Sequence, residues 1–235
     1  MNVGAPLLEI RGLSVDSSSG GFLAGVDLDV AGGEALGILG PNGAGKTLLL
    51  RVIAGLERPT GGVVRFDGRA LSGPVSERVA RGIVLVPAQR AIFGGLTVLD
   101  NLLAGCHRFA WDTDRVRRRL EMVLTTFVAL GPRLGQRAGS LSGGEQQMLA
   151  LGKALLLEPR LLLVDELTLG LAPVAVAGLL DVLDGLRRAG TSLVVVEQSP
   201  DTLAALVGRV AWMEQGQLRW TGPPGHLPAT ADLTA

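Results

Sequence analysis

Gly40, Pro41, Asn42, Gly43, Ala44, Gly45, Lys46 and Thr47 read GPNGAGKT: a glycine, four residues, a glycine, a lysine and a hydroxyl residue. Glycines at this spacing let successive backbone N–H groups close around phosphate oxygens, and a helix that starts there adds the positive end of its dipole. Lys46 is then placed to meet the β- and γ-phosphates of a nucleoside triphosphate, and Thr47 to ligate Mg²⁺. In a chain with 34 glycines, a glycine-rich turn could match this pattern by accident. Lysine argues otherwise: Lys46 and Lys153 are the only lysines, every other basic residue is arginine, and one of the two occupies this slot.

A phosphate loop needs a further acid at the end of a neighbouring buried strand to hold the metal, commonly through water. The stretch LLLVDELTLGLAP supplies one, because its apolar run stops at Asp165 and Glu166. Asp165 is the candidate Mg²⁺ ligand, and Glu166 is placed to orient or deprotonate the water attacking the γ-phosphate. Alone, the two acids could be an ordinary solvated strand end. Downstream of the phosphate loop, distinct chemical jobs are the better account.

These residues must be positioned by a core that 235 residues with 47% hydrophobic content can build. Apolar segments at strand spacing (LLEIRGLSV and FLAGVDLDV) and a hairpin with an Asp67-Gly68 turn suggest an antiparallel lobe, at about 5–35 and 60–72. EALGILG, GIVLVP, RLLLVD and SLVVVEQ read as buried strands alternating with helices, which argues for a parallel sheet covered on both faces. From about 92 to 150 the pattern turns helical; Val116, Leu120, Val123, Phe127 and Leu130 recur at helical spacing, and Gly131-Pro132 is expected to end the run. The tail from Gly222 is expected to be loosely ordered. The lobes read as insertions in a single domain over 1–235.

Balanced charge, 22 basic against 22 acidic residues, provides no global field for nucleic acid or an anionic membrane. Cys106 is the only cysteine, so no intrachain disulfide is available and no zinc-ligand spacing is present. The N-terminus does not read as a signal peptide, and no apolar run approaches the roughly 20 residues of a membrane span. The chain is expected to be soluble and to reach a membrane only through another protein.

LSGGE, at Leu141 to Glu145, narrows the choice among phosphate-loop proteins. A serine and two glycines opening the helix EQQMLALGKALLL make a second phosphate-binding helix start, one that this chain's own loop has no evident use for. GPNGAGKT, LSGGE and LLLVDE, in this order, resemble the ATP-binding cassette (ABC) ATPases over nearly the whole chain. The resemblance implies a phosphate-loop NTPase fold (RecA-like) with ATP and Mg²⁺ as cofactors. It also implies a head-to-tail dimer in which Ser142, Gly143, Gly144 and Glu145 cover ATP on the loop of the other subunit. More finely, LSGGEQQMLALGKALLLEPRLLLVDE, LGLAP and VVVEQS look like the shorter ATPase of bacterial branched-chain amino-acid importers, with importers of urea and short amides sharing much of the pattern. The implied partners are two transmembrane permease subunits, a second, paralogous ATP-binding subunit, and a periplasmic or lipid-anchored solute-binding protein reached through the permease. The implied location is the cytoplasmic face of the cell membrane.

Several positions depart from the general ABC pattern. The position that usually supplies a glutamine to Mg²⁺ aligns with Ala88, with Gln89 one residue later as the candidate ligand. Gln198 stands where a switch histidine is usual; it can hydrogen-bond phosphate but carries no titratable proton. The chain has no tyrosine to stack on adenine, which leaves Phe22 as a candidate substitute against its plainer reading as a core strand residue. Leu48, Leu167 and Ala172 replace a hydroxyl residue, a proline and an aspartate. Because Ala88, Gln198 and the missing tyrosine bear on one site while LSGGE is intact, that site is expected to be the weaker of two in a heterodimer.

RVRRR at Arg115 to Arg119 is read as a solvated helix face rather than a nucleic-acid or lipid patch. His107 reads as a surface residue and Trp111, Trp212 and Trp220 as packing residues. Two rival readings are a soluble ABC ATPase acting on DNA or ribosomes, whose long insertions are absent, and a phosphate-loop kinase, which gives LSGGE no role. The residues favour ATP hydrolysis coupled to transport, with no nucleic-acid partner.

Overall fold

The computed structural model describes residues 5–17, 21–88, 91–106 and 112–227. Strands β1 (Leu8–Asp16), β2 (Phe22–Val30), β4 (Gly61–Phe66) and β5 (Arg69–Ala70) form an antiparallel sheet in the order β2-β1-β4-β5. Alternating side chains of β1 and β2 are buried, as a half-covered sheet requires. The β4–β5 turn has Asp67 at φ 54° and Gly68 at φ 72°, the pair of positive angles that matches the twist of a tight hairpin.

A second, six-stranded sheet runs β10-β9-β3-β8-β7-β6, built from β3 (Ala35–Leu39), β6 (Ile83–Val86), β7 (Leu161–Asp165), β8 (Ser192–Val196), β9 (Arg209–Glu214) and β10 (Gln217–Gly222). Its first five members in chain order pair in parallel, and every residue of β3, β7 and β8 is buried. The reason is two-sided cover. Leu162, Val164, Leu193 and Val195 face one apolar layer, and Leu161, Leu163, Val194 and Val196 face the other.

The first layer is completed by α3 (Val98–Gly105), α4 (Thr113–Thr126), α5 (Gly143–Leu155) and α6 (Pro173–Arg188), through residues such as Leu102, Val123, Leu149 and Leu179. The second is completed by α1 (Lys46–Ile53) and the antiparallel sheet. Short helices α2 (Val75–Ala80) and α7 (Pro200–Ala204) complete the described set. Among the described residues, no helix is long and apolar enough to cross a membrane.

Three sequence expectations need correction. α4 stops at Thr126, and Gly131-Pro132 lie inside a 3-10 segment, Val128–Arg133, rather than ending a helix at Leu130. The Thr125 and Thr126 hydroxyls turn back to the carbonyls of Glu121 and Met122, and Phe127 leaves the helical region at φ −113°, ψ 70°. Phe127 and Leu130 are buried all the same, because the tighter turn keeps them on the core side. Second, the first residues of the tail are ordered: β10 runs to Gly222, antiparallel to β9 with Trp220 opposite Trp212, and a 3-10 turn follows at Pro224–His226, while 228–235 lie outside the described residues. Third, RVRRR is not simply solvated. Arg115 Nη2 lies 2.7 Å from Glu158 Oε2, and Arg119 pairs with the same carboxylate. His107 and Trp111 lie outside the described residues.

Candidate nucleotide site

The site forms where β3, β7 and β8 end side by side. β3 runs into Gly40, whose φ of 148° takes the chain so close to β9 that a Cβ there would overlap the Met213 carbonyl oxygen. Gly45, at φ 99°, is the N-cap of α1, and no side chain caps the helix. Its first backbone N–H groups are therefore left for a ligand. Lys46 is the first residue of α1; its Nζ donates to the carbonyls of Gly40 (2.7 Å) and Pro41 (2.9 Å). Burial lowers the Lys46 pKa, while the nearby Glu166 and Asp165 act against that shift.

Thr47 Oγ1 donates to Asp165 Oδ1 at 3.1 Å, across 118 residues of sequence. Asp165 is 4% exposed at the end of β7. Burial raises its pKa, and the Thr47 hydrogen bond offsets part of the rise. Glu166 follows at φ 45°, a left-handed conformation that costs a non-glycine residue roughly 1–2 kcal/mol. Its N–H donates to the Val196 carbonyl at 2.9 Å, and its Oε1 accepts from Gln198 Nε2 at 3.1 Å. Val196 at the end of β8 thus holds the backbone of Glu166, and Gln198 just beyond it holds the carboxylate.

These groups surround a cleft of about 640 Å³, lined by Asn42 to Leu48 on one side and by Glu166, Leu169 and Gln198 on the other. The cleft combines free helix-start N–H groups, a lysine and the Thr47 hydroxyl, which is bonded to Asp165; these are the groups that a triphosphate and its metal require. Among the described residues no group of three or more His, Cys, Asp and Glu is arranged to hold a metal ion.

Ser142 to Glu145 stand outside this cleft. Ser142 caps α5, and a reciprocal box joins it to Glu145: Ser142 N–H donates to Glu145 Oε2 at 2.9 Å, and Glu145 N–H to Ser142 Oγ at 3.4 Å. Glu145 also pairs with Arg133 at 2.8 Å, so its carboxylate is engaged within the chain. Ser142 and Gly143 are exposed. Gly143 lines a separate cavity of about 350 Å³ together with Ala88, Gln146 and Gln147.

Among the departures, Leu48 and Leu167 are buried in the core, and Ala172 precedes Pro173 at the start of α6. Gln89 lies outside the described residues. Phe22 is 51% exposed and so is not a core residue; its ring lies against Gly216, and its neighbour Gly21 lines the cleft instead. One group escaped sequence reasoning. Glu197 is buried beside Gln198, and its carboxylate accepts from Thr168 N (3.2 Å) and Thr168 Oγ1 (2.9 Å). The signal was present, since SLVVVE ends a buried strand on an acid just as LLLVD does.

Comparison with known proteins agrees with this geometry. Residues 23–169 match the ABC transporter family. The chain is 40% identical over 194 residues to the high-affinity branched-chain amino acid transport ATP-binding protein BraG of Pseudomonas aeruginosa, covering 82% of each. It is 39% identical over 230 residues to the Fe(3+) ions import ATP-binding protein FbpC of Mesorhizobium japonicum, spanning 94% of this chain and 61% of that one. The solved structure of an ATP-binding subunit of an ABC transporter superposes with a TM-score of 0.83 at 27% identity, covering 97% of this chain and 100% of that one. A nucleotide-free ATP-binding cassette, at 24% identity and TM-score 0.83 over 93% of this chain and 92% of that one, shares the fold. The chain belongs to the ABC transporter family and is one of its ATP-binding, ATP-hydrolysing subunits.

Proposed function

We propose that the chain is the ATP-hydrolysing subunit of an importer for branched-chain amino acids. The observation that carries this reading is the match in extent to BraG, which spans 82% of both chains. Relatives named for iron(III), spermidine/putrescine and glycerol phosphate are longer, and this chain spans only 54–64% of them. On this reading residues 1–235 act as one cassette, with an antiparallel lobe at about 5–35 and 60–72 and a helical subdomain at about 92–150.

Within the site, the backbone from Gly40 to Gly45 and Lys46 hold the triphosphate of ATP. To reach it, Lys46 exchanges its loop carbonyls for phosphate oxygens. Thr47 and Asp165 hold Mg²⁺, which when bound neutralises phosphate charge. Glu166 takes the attacking water, accepting its proton as the oxygen bonds to the γ-phosphorus and the bond from that phosphorus to the β–γ bridging oxygen breaks, which leaves ADP and phosphate. Gln198 steadies the Glu166 carboxylate and offers its amide to phosphate. Ser142 and Gly143, exposed at the start of α5, serve ATP on a second, paralogous subunit together with the half-buried Gly144, with Glu145 holding the helix start in shape. In that pair this chain's own site is the weaker one. The assembly works at the cytoplasmic face of the membrane with two permease subunits and a solute-binding protein.

Uptake of labelled leucine, isoleucine and valine, compared with urea, acetamide and iron(III), tests the reading in cells carrying Glu166→Gln in this chain or its counterpart in the partner. Loss confined to the branched-chain amino acids supports it; loss confined to another solute overturns the substrate assignment. Equal losses from the two substitutions overturn the asymmetry.

A further inference from the structure

Strands β7 and β8 end alike, β7 on Asp165-Glu166 and β8 on Glu197-Gln198. Three of these four side chains already have a place in the site. Glu197 does not, yet it is among the most buried carboxylates of the chain, at 4% exposed. Its N–H donates to the Ile38 carbonyl of β3 at 3.3 Å, which anchors it to the sheet end. Its carboxylate reaches across and takes both donors of Thr168, the backbone N–H at 3.2 Å and the hydroxyl at 2.9 Å.

Thr168 is two residues beyond Glu166, inside the turn that leaves β7. Glu166 itself sits at φ 45°. Such a conformation persists only when the surroundings over-determine it. Two grips flank it here. The Val196 carbonyl holds the Glu166 N–H on one side, and Glu197 holds Thr168 on the other. Both grips come from the end of β8, which also carries Gln198 against the Glu166 carboxylate.

We propose that Glu197 is a positioning residue for Glu166: by holding Thr168 through two hydrogen bonds it fixes the turn that sets where the Glu166 carboxylate stands over the phosphate cradle. This rests on the reading of Glu166 as the group that acts on the attacking water. Hydrogen bonding suffices for the task, and a charge is not needed. An amide at 197 can accept from the Thr168 N–H through its oxygen and donate to the Thr168 hydroxyl through its nitrogen. Nor does Glu197 line the cleft, so its loss acts on the chemical step rather than on ATP binding.

The test compares steady-state ATP hydrolysis and ATP binding by the assembled complex, with the partner subunit's own site inactivated, when this chain carries Glu197→Met, Glu197→Gln, Thr168→Val, Thr168→Ser or Glu166→Gln. Glu197→Met removes both acceptors at similar length and is expected to lower kcat roughly tenfold or more, with KM for ATP within about twofold. Thr168→Val, nearly isosteric, removes one bond and is expected to lower kcat about three- to tenfold; Thr168→Ser and Glu197→Gln recover it to within about threefold. Wild-type kcat in both Glu197→Met and Thr168→Val, or a raised KM with unchanged kcat, overturns the proposal while Glu166→Gln remains inactive. Full hydrolysis by Glu166→Gln overturns the reading of Glu166 itself, and the positioning role falls with it.

Discussion

The Gln198 amide donates to the Glu166 carboxylate at 3.1 Å, from the end of one parallel strand to the end of the next. The contact is local in space but joins residues 32 apart in sequence. An amide in this place can orient a carboxylate but cannot exchange protons with it. Gln198→Ala should therefore lower kcat modestly, roughly three- to tenfold, with ATP affinity within about threefold. Gln198→Glu sets two carboxylates face to face and should cost more, roughly 10- to 100-fold in kcat. Single-turnover hydrolysis measured beside nucleotide binding checks both; wild-type kcat in Gln198→Ala would show that the amide contact is irrelevant, and equal losses in the two variants would show that the added charge costs nothing.

Lys46 is buried with its Nζ on two loop carbonyls, so its slot is shaped for a compact ammonium group. Lys46→Ala should abolish detectable ATP binding at micromolar nucleotide. Lys46→Arg should not rescue it, because a planar guanidinium can neither make the same turn onto Gly40 and Pro41 nor shift to phosphate from it. Equilibrium binding of a fluorescent ATP analogue distinguishes the outcomes, and recovery in Lys46→Arg would show that charge alone is required.

Two glycines of the loop should respond differently to the same substitution. A Cβ at Gly40 would overlap the Met213 carbonyl, whereas one at Gly43, at φ 80°, would meet nothing within 4 Å. Gly43→Ala therefore carries only the left-handed backbone cost, about 1 kcal/mol, or a Tm lower by about 2–4 °C in a chain of this size. Gly40→Ala must also push β3 and β9 apart and should lose at least about twice as much. Thermal unfolding without nucleotide checks the order; a larger loss at Gly43 would contradict the packing described here.

The strand end that carries Asp165 and Glu166 was legible because burial on both faces leaves β7 apolar up to Asp165, so that two acids stand out where it stops. The same logic applies to β8, which stops at Glu197, but the partner of Glu197, Thr168, lies 29 residues away and cannot be found from spacing. Helical periodicity correctly put Val123, Phe127 and Leu130 on one face, yet could not tell an α-helix from a 3-10 turn, since either presents these residues inward. Phe22 misled because strand spacing does not reveal which end of a strand emerges from the sheet. The ion pairs of Glu158 with Arg115 and Arg119 were invisible for a similar reason: they join α4 to the loop before β7.

Glu158 and Glu197 should give the chain opposite responses to pH. Burial tends to raise the Glu158 carboxyl, but hydrogen bonds and charges from Arg115 and Arg119 outweigh it and hold the group below the usual carboxylate range. Its contribution is therefore present above the unfolded-state pKa and is lost as pH falls through the folded one. Burial raises Glu197; bonds from Thr168 offset part of this, and the Glu166 charge adds to it. Here the folded state holds the proton more tightly than the unfolded chain, so the contribution is full below the unfolded-state pKa and is lost as pH rises through the folded one. Glu158→Gln should lower Tm at about pH 8 by about 2–4 °C, equivalent to about 1 kcal/mol for a partly exposed pair, and the deficit should shrink toward about pH 3.5 and in high salt. Glu197→Gln keeps its Thr168 partners and should match the wild type at about pH 3.5, then exceed it in Tm as pH climbs past the raised carboxyl. Thermal scans of the two variants across this range test the pair together, because slopes of the same sign would contradict one of the two assignments.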